Sequence, residues 1–189
     1  MMLKIDNIWT IDIQQKIFRS LLTCMSRPGE IADLSQHLGN SSALLGVLAT
    51  LLDRTVTLND DDELVNRSDR HLLQAPSDSP QTAKFIARDA TNPPGNFTPH
   101  LGDLSNPEKG ATIILQGKAL GSGNVSLQLS GAGVKETYRV SLKGFDPKWF
   151  IHRQEWVANF PLGVDMILVD FNRIMALPRT THIVLLNNM

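Results

Sequence analysis

The chain has 189 residues, 42% hydrophobic and 20% charged, with 18 basic against 19 acidic side chains for a formal net charge of -1. That length suits one domain, spanning 1–189, with a sizeable buried core, and the near-neutral charge gives no electrostatic footprint for nucleic acid or anionic lipid. The lone Cys24 excludes an internal disulfide and fits a small core residue, the first dozen residues lack a signal-peptide core, and no run approaches the roughly 18 apolar residues of a membrane span, so a cytoplasmic protein is expected.

In chain order, Asp12 and Gln15 resemble a capping box, and Ile13, Ile17, Phe18, Leu21, Leu22 and Met25 follow at helical spacing. The helix ends at Ser26-Arg27-Pro28-Gly29, and a short strand is expected over 30–34. "NSSALLGVLATLLDRTVTL" offers Asn40 and Ser41 as caps for a helix buried on most sides, with a strand over 55–58. Asp61, Asp62 and Glu63 suit the positive end of another helix reaching about Leu73. The proline-rich stretch 75–107 reads as surface loop holding one strand, "TAKFIAR". "ATIILQ", "NVSLQLS" and "ETYRVSL" are then separated by Gly121-Ser122-Gly123 and Gly131-Ala132-Gly133, which predicts hairpins. "DPKWFIHRQEWVANF" begins with a cap and a proline and places Trp149, Phe150, Trp156, Val157 and Phe160 on roughly one helix face. Strands over 164–169, 174–177 and 183–186 close the chain. This order predicts an α/β fold, a mixed central sheet with helices on both sides.

Few residues announce chemistry. Ser130-Gly131-Ala132-Gly133 could point backbone N–H groups at an anion through Gly131 and Gly133, but it lacks dinucleotide or P-loop spacing and reads as a hairpin turn. Arg179-Thr180-Thr181-His182 could grip a phosphate or phosphonate with a guanidinium and two hydroxyls. Its alternatives are a partner contact, or a strand boundary near the surface whose arginine pairs with Asp165 or Asp170. The five histidines have no zinc spacing, Trp149 and Trp156 suit core packing, and the acidic run 60–63 suits a solvated helix start, with Mg²⁺ binding as the lesser reading. No GxSxG nucleophile elbow occurs.

The segments "FRSLLTCMSRPGEI", "LLDRTVTL", "ATIILQ", "LQLSGAGV", "FPLGVDMIL" and "ALPRTTHI" occur in the order found in the PhnH family, the H subunit of the bacterial carbon–phosphorus lyase system. The resemblance runs from about Lys16 to Val184. It implies a fold like the large domain of pyridoxal-phosphate-dependent transferases, without that cofactor or any other, and a homodimer when isolated. It also implies assembly with the G, I and J subunits into a core complex that supports formation of ribose 1-phosphonate 5-triphosphate from ATP and phosphonate. On this reading the chain has no active site of its own. The alternative is a subunit that handles phosphonate or triphosphate through Arg179, Thr180, Thr181 and His182. One cysteine is too few for the iron–sulfur cluster of the radical chemistry, which belongs to another subunit. Departures from the family pattern are Ala132, where proline is often expected, and the stretch around Pro93 and Pro94.

Overall fold

A computed structural model describes residues 7–186. The opening residues 1–6, part of the stretch read as lacking a signal-peptide core, lie outside them. Nine strands and five α-helices are formed within the described residues: α1 (Ile11–Ser26), β1 (Ala32–Asp33), α2 (Ser35–Leu38), α3 (Ala43–Leu51), β2 (Leu58–Asn59), α4 (Arg67–Leu73), β3 (Phe85–Asp89), β4 (Thr112–Gln116), β5 (Ala119–Gly131), β6 (Tyr138–Lys143), α5 (Lys148–Trp156), β7 (Asp165–Val169), β8 (Arg173–Leu177) and β9 (Thr181–Leu186). Six strands make a mixed sheet ordered β1-β8-β7-β4-β3-β2, in which β2, β3, β4 and β7 are parallel and β8 runs against β7. The other three make a separate antiparallel sheet, β6-β5-β9.

Successive side chains of a strand point to opposite faces, so each central strand feeds two cores. Phe85, Ala87, Ile114, Ile167, Val169, Ile174 and Ala176 join a cluster with α1, α3 and the buried ends of α2 and α4. Ile86, Ile113, Leu115, Met166, Leu168, Met175 and Leu177 join another with the second sheet and α5. The mixed sheet therefore stands as expected, but one of its faces is covered jointly by α5 and three strands rather than by helices alone. The hairpin reading holds for β5 with β6 and not for β4. Ile113, Ile114 and Leu115 are consecutive and all buried, the mark of a strand covered on both faces, whereas Val125, Leu127 and Leu129 are buried in alternation. Gly121-Ser122-Gly123 is no turn either; it lies within β5, where the ladder to β6 shifts register between Leu120 and Val125.

Several helix starts differ from the sequence reading. The N-cap of α1 is Thr10, whose hydroxyl donates to Asn7 O at 2.8 Å, and the Asp12–Gln15 capping box is not formed. Its buried stripe is Ile17, Leu21 and Cys24, leaving Phe18 and Leu22 substantially exposed. α3 is capped by the Ser42 hydroxyl, which accepts from Leu45 N at 3.2 Å, rather than by Asn40 or Ser41; every residue from Ala43 to Ala49 is buried. α4 starts at Arg67 behind Asn66, whose side chain accepts from Asp69 N. The acidic run precedes it as a loop, where Asp60 accepts the Leu64 and Val65 amides at 3.0 Å each. A carboxylate that satisfies turn amides this way is not free to start a helix. Asp146 does hold the entry to α5, accepting from Lys148 N at 2.8 Å.

Candidate functional site

The turn between β8 and β9 carries Pro178, Arg179 and Thr180, and it is fixed from two sides. On one side Arg179 is spent on the protein itself. Its Nη2 lies 2.8 Å from Asp165 Oδ2, its Nη1 donates to Pro107 O at 2.7 Å and Pro161 O at 3.3 Å, and its backbone N–H donates to Asp165 Oδ1 at 2.8 Å. The pairing with Asp165 is one of the two that sequence reasoning named; the other candidate, Asp170, pairs with Arg173 at 2.6 Å. All three guanidinium nitrogens of Arg179 thus have partners inside the chain. Such a fork is a brace between strand ends and leaves little for a ligand.

On the other side stands Arg153 of α5, which the sequence reading did not single out. It is only 1% exposed, and its terminal nitrogens donate to Thr181 O at 3.1 Å and to Pro178 O. Gln154 continues the pattern, donating to Ile183 O at 3.1 Å. These three carbonyls belong to the turn and to β9, an outer strand of its sheet, so α5 side chains occupy part of an edge that would otherwise be bare. No carboxylate lies within ion-pair distance of Arg153 among the described residues. Burial draws its pKa down to about 10, with the field of Asp165 opposing, so it stays charged near neutrality. Its Nε and the Thr181 hydroxyl, itself in a residue 2% exposed, are buried without hydrogen-bond partners.

α5, the turn and β9 together enclose a cleft of ≈ 700 Å³. Arg153, Thr180, Thr181 and His182 border it, with Val157, Ala158, Phe160, Ile183 and Val184 supplying apolar wall. Phe160 is 66% exposed, and Val184 is 55% exposed. Phe160 therefore does not join the buried face of α5 predicted for it; it lies past the helix end, while Trp149, Phe150 and Trp156 remain in the core. Thr180 and His182 are exposed at the rim.

Of the glycine pair, the structure brings one to this place. Gly131 pairs with Thr181 across the β5–β9 ladder at φ +112, and a Cβ there would stand 2.8 Å from Thr180 O. Gly133, at φ +79, sits elsewhere, against Ser26 O and Pro28 at the end of α1. Both conformations suit glycine and form the β5–β6 hairpin turn. The acidic run helps line a second concavity of ≈ 390 Å³ with Arg67 and Arg70, remote in sequence from the first. Asp61 there pairs with Arg88 at 3.2 Å. Among the described residues no three His, Cys, Asp or Glu side chains converge as a metal ligand set. Trp149 and Trp156 pack edge-on at 6.5 Å with Phe97 of the long loop, as core aromatics. Cys24 is buried, its thiol 3.8 Å from Ile174 O and pushed up to about 11 by burial.

Residues 7–184 match the family profile described as "Bacterial phosphonate metabolism protein (PhnH)". The Putative C-P lyase subunit protein HtxG of Stutzerimonas stutzeri is 42% identical over 176 residues, 93% of this chain and 88% of its own. The Alpha-D-ribose 1-methylphosphonate 5-triphosphate synthase subunit PhnH of Rhizobium meliloti (strain 1021) is 30% identical, with 89% of each chain covered. No described helix is long and apolar enough to cross a membrane.

Proposed function

The chain belongs to the PhnH family of bacterial phosphonate metabolism proteins, and from that premise we propose that it is a subunit of a carbon–phosphorus lyase complex. It supports formation of a ribose 1-phosphonate 5-triphosphate there and contributes binding surfaces rather than a reaction centre of its own. The relatives named as C-P lyase and synthase subunits support the assignment over nearly the whole chain. The observation that carries the structural part is the commitment of both arginines at the β8–β9 turn: Arg179 is consumed by Asp165 and two carbonyls, and Arg153 by two more. Donors already occupied by protein acceptors are not aimed at charge developing in a substrate, and that aim is what transition-state stabilisation requires.

In this reading the G, I and J subunits of the complex are the partners and the isolated chain is a homodimer. The reading also takes the fold to resemble the large domain of pyridoxal-phosphate-dependent transferases with no pyridoxal phosphate bound, and the parallel strands β2, β3, β4 and β7 support it. Co-expression with the G, I and J subunits tests the assignment. Stoichiometric co-purification is the expected result, and a chain that never co-elutes with them would end it. Calorimetric titration of the purified chain with ATP and methylphosphonate tests the competing catalytic role of Thr180 and His182, for which saturable heat at millimolar ligand is the signature.

A further inference from the structure

Three cations gather around one ion-paired carboxylate at the β8–β9 turn. Arg179 takes Asp165. Arg153 has none among the described residues, and Lys84 gives its ammonium to Glu108 O at 2.6 Å and Gly110 O at 2.7 Å. Exposed Glu108 also acts on Lys84, favouring its charged form. A buried guanidinium without a counter-ion is expensive, and its field reaches further through protein than through water. The cleft beside it is therefore a positive place with apolar walls. Arg153 Nε and Thr181 Oγ1 lie beneath the floor; the reachable polar groups are the side chains of Thr180 and His182 at the rim, which form no side-chain hydrogen bond within the described residues.

These features select among anions. A free triphosphate needs many donors or a metal around it, and the walls here are Val157, Ala158, Phe160, Ile183 and Val184. A single carboxylate carried on an apolar chain fits both the walls and the charge. We propose that this cleft seats an apolar segment of a partner subunit carrying one Asp or Glu, whose carboxylate lies over the Arg153–Thr181 floor and accepts hydrogen bonds from Thr180 and His182. The exposed Phe160 then becomes the aromatic anchor of the interface, the kind of residue that dominates association once water is excluded, and exposed Val184 adds apolar contact that keeps water out. This inference rests on the subunit reading above.

The test uses the co-expressed complex with three variants of this subunit: Phe160→Ser with Val184→Ser, Thr180→Ala with His182→Ala, and Arg153→Met. Association is read by the retained fraction through graded salt washes. The apolar pair is expected to weaken association about tenfold or more, and the rim pair several-fold with a shallower salt dependence. The first two variants change exposed residues, so they keep the question open to refutation if Arg153→Met fails to fold. Assembly unchanged by both exposed pairs, with the wild type assembling, overturns the cleft as an interface. A wild type that does not assemble overturns the subunit reading instead. Inorganic phosphate or methylphosphonate is titrated into the purified chain in parallel; binding lost in Thr180→Ala with His182→Ala, while assembly persists, would assign the cleft to a small anion and refute the partner segment.

Discussion

Replacing Asp165 by asparagine removes one negative charge and almost no volume, and it isolates the electrostatics of the β8–β9 turn. Asn Oδ1 keeps the bond from Arg179 N, now 2.8 Å, and Arg179 Nη1 keeps Pro107 O and Pro161 O. What disappears is the 2.8 Å ion pair, together with the carboxylate whose field favours charged Arg153. Breaking a fully buried pair costs about 3–5 kcal/mol. Here the side chains of Arg179 and Asp165 remain 13% and 20% exposed, so solvent offsets part of the loss, and about 2–3 kcal/mol is expected after that discount. For a chain of this size that is a drop in Tm of about 5–10 °C. Urea unfolding followed by tryptophan fluorescence, with the slope checked for constancy, measures it. The double variant Asp165→Asn with Arg179→Met should lose less than the sum of the singles by at least about 1 kcal/mol, since the second change removes the stranded cation. A loss under about 1 kcal/mol for Asp165→Asn, or simple additivity in the cycle, would refute the brace as described.

Gly117→Ala would drive its Cβ into the buried Phe145 ring; a loss of about 1–3 kcal/mol in urea unfolding is expected, and a wild-type midpoint would contradict the packing. Cys24, with its thiol raised to about 11 by burial, should react with a disulfide reagent at pH 8 only on the timescale of unfolding. Because its folded value exceeds the unfolded one, the stability it contributes is complete below the unfolded value and is lost as pH rises toward 11, which a pH series of unfolding midpoints for wild type and Cys24→Ala would resolve. Asp33, Asp53, Asp78 and Asp103 are each lowered, chiefly by side-chain hydrogen bonds from Ser35, Thr55, Thr82 and Asn106. Their contribution is present above the ordinary carboxylate value and fades as pH falls through the lowered ones, so Asp53→Asn with Asp78→Asn should flatten the acid limb of the stability profile, and an unchanged limb would count against these bonds.

Much of this architecture is legible in short stretches of the chain. Alternation of Val125, Leu127 and Leu129, the cap at Asp146, the glycine turn at 131–133 and the apolar setting of Cys24 each depend on a handful of neighbours, and each is found in the fold. The family resemblance is of the same local kind, carried by ordered motifs that the family match later spans at 7–184. At the candidate site the sequence supplied the turn residues and, as one of two options, the Arg179–Asp165 pair.

Three-dimensional packing decided the rest. That β4 and β5 part into different sheets, and that β9 leaves β7 and β8 to pair with β5, follows from how two faces of one sheet are covered, which no local period records. The role of Arg153 was invisible for the same reason: it sits in an ordinary helical run, and the carbonyls it binds lie 25 and 28 positions further along. Periodicity and capping act over a few bonds of the chain, whereas the number of charges sharing a buried space is fixed only when distant segments close around it.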